Sequence, residues 1–103
     1  MGYEYIAALP SGMQGSVEQV VGELLGQFPL SAEYQAGQAV AAFQWSAVPA
    51  GTNGWPFLSL HFAPREVLAI FHGGPGARGL EVLHALTAIV SAQVDEPVVF
   101  EEA

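Results

Sequence analysis

Histidine is the one side-chain type here that ordinarily titrates near neutrality, and the chain carries three of them, His61, His72 and His84. His72 opens the run His72-Gly73-Gly74-Pro75-Gly76-Ala77-Arg78-Gly79. A glycine-rich turn before a helix can aim backbone N–H groups at an anion, and Arg78 would add a positive charge. His72, Gly74, Gly76 and Arg78 are therefore candidate ligand-binding residues. The spacing from Gly74 to Gly79 satisfies Gly-x-Gly-x-x-Gly, but Pro75 takes the first variable position and no Gly-Lys-Ser/Thr follows. Turns and helix entry account for the same glycines.

The carboxylates form no obvious catalytic pair. Glu18 and Glu23 belong to the polar side of a first helix, Glu81 to the first turn of a second, and Glu66 to the start of a strand. Asp95, Glu96, Glu101 and Glu102 crowd into the last nine residues. Such a run either protects an edge strand or forms an acidic docking surface. Trp55, in a Gly-Trp-Pro loop, is the aromatic residue placed to anchor a protein contact. The expected partner-binding residues are thus Trp55, Asp95, Glu96, Glu101 and Glu102. With no Cys, no His-x-x-x-His pair and strand ends that separate His61 from His72 by about 20 Å, neither a metal nor a cofactor is expected.

The elements that must position these groups follow from hydrophobic period. Tyr3 to Leu9 alternates as a strand and stops at Pro10-Ser11-Gly12. Val17, Val20, Val21, Leu24, Leu25 and Phe28 form the stripe of a helix, entered through Ser16 and Gln19 and ended by Pro29. Leu30 to Gln38 reads as a polar connection. Ala39 to Val48, Phe57 to Phe62 and Glu66 to His72 alternate as three strands of a meander, with Asn53-Gly54 and Pro64 marking its turns. Gly73 to Gly79 reads as a loop, Val82, Leu83, Leu86, Ile89 and Val90 form the stripe of a second helix ended by Pro97, and Val98 to Phe100 reads as a last short strand.

The expected fold is one α+β domain over residues 1–103, in the order β-α-β-β-β-α-β. It is an elaborated ferredoxin-like sandwich: a single-layer, mostly antiparallel sheet with two helices on one face. Which phase of each strand faces the helices is open, because a one-residue slip exchanges the faces.

Leu68-Ala69-Ile70-Phe71-His72-Gly73-Gly74-Pro75-Gly76 resembles the strand and oxyanion loop of the proline iminopeptidases, which are α/β-hydrolases. That resemblance implies backbone N–H groups poised for a tetrahedral intermediate. It covers about nine residues. No Gly-x-Ser-x-Gly elbow accompanies it, since Ser91 has neither flanking glycine, and the chain is under half the length of that fold. No catalytic residue is assigned.

Two Arg, no Lys and ten Asp or Glu give a formal charge of −8, which disfavours nucleic acid and anionic membranes. Half the residues are hydrophobic, so a true core is expected. A signal peptide and a membrane span are not expected, and the cytoplasm is the default location. Two function classes remain. The favoured one is a non-enzymatic acidic protein-binding module, such as an immunity or inhibitor protein that occludes a basic toxin or nuclease. The rival is a small enzyme or anion-binding domain working at Gly73–Gly79 with His72 and Arg78. A homodimer through the free sheet face or an edge strand is compatible with either.

Overall fold

The computed structural model describes residues 3–9, 12, 17–34, 39–46, 56–73, 76–94 and 96–102. They form β1 (Tyr3–Ala8), α1 (Val17–Gln27), β2 (Leu30–Glu33), β3 (Val40–Trp45), β4 (Leu58–Ala63), β5 (Glu66–Phe71), α2 (Gly76–Val94) and β6 (Phe100–Glu102). The fold is α+β, with one six-stranded sheet in the order β2-β3-β4-β5-β1-β6 and two helices.

The expected meander is present and is longer than anticipated. Leu30 to Glu33 is a strand and not a connection, paired with β3 through Leu30↔Trp45 and Ala32↔Phe43. Its apolar signal is only Leu30 and Ala32, so pairing defines it more than sequence does. The element order is therefore β-α-β-β-β-β-α-β. All five pairings are antiparallel, and β1 lies between β5 and β6, the strands that precede and follow α2. Helix α2 also starts earlier than expected, so Gly76 to Gly79 form its first turn and not a loop. The last strand lies two residues later than expected, which leaves Val98 in the core before β6 begins.

Alternation decides the phase. Ala7 on β1, Ala41 and Phe43 on β3, Leu58 and Leu60 on β4, and Val67, Ala69 and Phe71 on β5 are buried, and they join one core with Val20, Val21 and Leu24 of α1 and Val82, Leu86, Ile89 and Val90 of α2. The aromatic phase of the strands thus faces inward. Tyr5 meets Phe71 edge-on at 5.9 Å, Phe71 meets Phe57 at 5.5 Å, and Phe57 meets Trp45 at 4.9 Å between ring centroids. These contacts tie β1, β5 and β3 together on that side through Phe57, the residue that leads into β4.

Pro64 and Arg65 make the two-residue turn of the β4–β5 hairpin, closed by the pair Ala63↔Glu66. The chain leaving β1 is latched onto this turn. The Leu9 N–H donates to the Arg65 carbonyl at 2.8 Å, and the Gly12 N–H donates to the Leu9 carbonyl at 2.9 Å. Gly12 holds φ +75, and a Cβ there would lie 3.2 Å from the Pro64 carbonyl oxygen. Both the dihedral and the close approach require glycine.

Candidate functional site

Once the buried phase is fixed, the opposite sheet face is fixed with it, because side chains alternate with a period of two. Across that face the register makes two long rows, beyond which Ser31 lies opposite Gln44. One runs Glu33, Ala42, Ser59, Ile70, Glu4 from β2 to β1. The other runs Val40, His61, Leu68, Ile6, Glu101 from β3 to β6. Glu66 and Ala8 follow at the hairpin end. The centre is therefore mostly apolar, with Ile6 36% and Val40 41% exposed, Ala42, Leu68 and Ile70 half-buried, and Ser59 and His61 of β4 between them. Glu4, Glu33, Glu66 and Glu101, all exposed, stand around it.

No Lys or Arg occurs on any of the six strands. Of the two bases, Arg65 sits in the hairpin turn, and Arg78 is turned to the other side of the sheet, its guanidinium carbon 3.8 Å from the centroid of the Trp45 ring. Among the described residues the face thus collects four of the ten acids, with no Lys or Arg on the strands that carry them. Like charges spread around an apolar patch repel one another and gain from an approaching cation.

The residues expected to bind a partner are divided by this geometry. Trp55 and Asp95 lie outside the described residues. Glu96 is half-buried beyond the end of α2, with its N–H donated to the Ser91 carbonyl and its Oε1 buried without a hydrogen bond. Glu101 joins the apolar face opposite Ile6, whereas Glu102 lies opposite Tyr5 on the helix side. The acidic carboxyl-terminal run is therefore not one surface. Glu4, Glu33 and Glu66, which sequence reading did not select, are the residues that accompany Glu101. The signal for Glu4 was its shared phase with Ile6, but Glu33 carried none without knowledge of β2.

The residues of the rival ligand site are also separated. Gly74 lies outside the described residues. His72 continues the outer phase of β5, and its Nε2 shares a 2.8 Å hydrogen bond with Ser59 Oγ, a group only 7% exposed. Arg78 stacks on Trp45 on the helix side. Gly73 and Gly76 hold φ +147 and +64, so the turn between β5 and α2 needs them for its path. Both His61 and His72 lie on the outer face, with His61 opposite Leu68 and His72 four residues further along, about 13 Å away at strand rise. Among the described residues no group of three His, Cys, Asp or Glu could hold a metal.

An apolar groove along α2, lined by Leu80, Leu83, His84, Thr87 and Phe100 among others, carries no acidic side chain. Among the described residues no helix is long and apolar enough to cross a membrane. Comparison with protein-family models, with characterised proteins and with solved structures gave no match.

Proposed function

We propose that this protein is a non-enzymatic binding module whose outer sheet face engages a basic protein. The observation that carries this reading is the apolar centre of Ile6, Val40, Leu68 and Ile70 inside a rim of Glu4, Glu33, Glu66 and Glu101. An apolar centre supplies buried area, and the rim supplies steering and orientation, the division of labour found in protein interfaces. Occlusion of a basic toxin, nuclease or comparable effector is the role that fits such a surface, which makes an immunity or inhibitor protein the form the function takes.

The same charge argues against self-pairing through this face. Two copies would oppose four glutamates with four glutamates, and neither helix has a basic residue in its last turn to offset them. Enzyme chemistry at the glycine loop is the weaker reading, because His72 and Arg78 project to opposite sides of the sheet.

The test compares capture of binding proteins by the native chain, by a variant with Glu4, Glu33, Glu66 and Glu101 all changed to Gln, and by a control with Glu18, Glu23 and Glu81 changed to Gln. The expected outcome is one stoichiometric basic protein, held at about 50 mM salt and released at about 500 mM, whose affinity falls about 30-fold with the face variant and little with the control. Equal capture by the native chain and the face variant contradicts the reading.

A further inference from the structure

We infer that the element of the partner seated on this face is an amphipathic α-helix with an apolar stripe flanked by Lys or Arg. This rests on the reading of the face as a docking surface, and goes further by naming what docks. Three of the four acids stand toward the flanks of the sheet, Glu33 on β2 and Glu4 and Glu101 on β1 and β6, and the fourth, Glu66 on β5, stands at the hairpin end. From β2 to β1 there are four strand spacings, about 19 Å. A helix with its side chains is about 10–12 Å wide, which leaves about 4 Å on either side, within the reach of a lysine or arginine stem lying along apolar surface.

The strip beneath such a helix is mostly apolar on either side of β4. Ala42 and Val40 on β3, Leu68 and Ile70 on β5 and Ile6 on β1 meet the stripe, with Ser59 and His61 of β4 between them. Strands of six residues are about 20 Å long, which a helix of about 13 residues spans. An extended segment is the poorer occupant. Laid on a sheet face and not along an edge, it finds no ladder for its N–H and C=O groups, whereas a helix satisfies its own. This protein's own helices are not candidates from a second copy, since they expose Glu18, Glu23 and Glu81.

The probe is a lactam-bridged helical peptide of about 14 residues with Leu at i, i+3, i+4 and i+7 and Lys on both flanks, set against a scrambled peptide of identical composition. Binding is read by titration, and its location by backbone amide shifts of the full chain. The helical peptide is expected to bind at least tenfold more tightly than the scrambled one, to shift Ile6, Val40, Leu68 and Ile70, and to weaken about fivefold with Val40→Ser, an exposed position that tolerates the change. Equal binding of the two peptides, or shifts confined to α1 and α2, overturns the inference. If the four-Gln face variant loses the basic protein while the helical peptide shows no preference, the docking face stands and the helical occupant falls.

Discussion

Glu101 and Glu102 are adjacent in sequence and lie on opposite faces of the sheet, Glu101 across from Ile6 and Glu102 across from Tyr5. Composition alone treats them as one acidic tail. The pleat separates them, and so makes a pair of substitutions with the same charge change and different expected consequences.

Glycines that the fold does not need give a stability prediction. A Cβ at Gly22 or Gly26, both exposed in α1, meets nothing within 4 Å. Gly22→Ala and Gly26→Ala should each stabilise the protein by about 1 kcal/mol, chiefly through the unfolded chain's lost freedom. Thermal unfolding should then rise by about 4–8 °C per substitution. An unchanged or lower midpoint would show that the helix gains nothing from better propensity.

Gly12 is the opposite case. Its positive φ and the nearby Pro64 carbonyl predict that Gly12→Ala destabilises by about 1–2 kcal/mol, measured by urea unfolding. A loss under about 0.3 kcal/mol would mean that the latch between the β1 exit and the hairpin turn adds little.

The Ser59–His72 hydrogen bond separates structure from chemistry. As a structural bond it should show a coupling of about 1 kcal/mol in a double-mutant cycle of Ser59→Ala and His72→Ala. A fluorophosphonate probe should leave Ser59 unlabelled. Labelling at Ser59 that disappears with His72→Ala would instead reveal an activated nucleophile and revive the enzymatic reading.

Much of the fold was legible in the sequence because strong alternation and turn chemistry agreed. Phe43 and Trp45 on one phase, Leu58 and Leu60 on the next, and Pro64 between two apolar runs specify the β3–β4–β5 meander. Strand β2 was not legible, since four residues with two apolar positions carry no periodic signal until β3 pairs with them. The acids of the candidate face were visible in the sequence, but their convergence was not. Glu4 and Glu101 are almost a chain length apart, and their convergence depends on β1 lying between β5 and β6. No local pattern encodes that order.

Arg78 supplies a check on the other side of the sheet. Its contact with Trp45 predicts a stability loss of about 0.5–1 kcal/mol for Arg78→Ala, with a change in tryptophan emission. Affinity for the proposed basic partner should be unaltered or slightly improved, because the substitution removes a positive charge away from the proposed docking face. A collapse of partner binding with the fold intact would assign Arg78 to the interface.

The most direct measurement is the affinity of the basic partner for Glu101→Lys beside that for Glu102→Lys, at one salt concentration. Both variants change net charge equally and sit in the same short strand. A docking face built on Ile6, Leu68 and their neighbours predicts that Glu101→Lys weakens binding about tenfold while Glu102→Lys weakens it less than twofold. Equal losses would mean that the partner reads net charge alone, and a larger loss at Glu102 would place the interface on the helix side, contradicting the account.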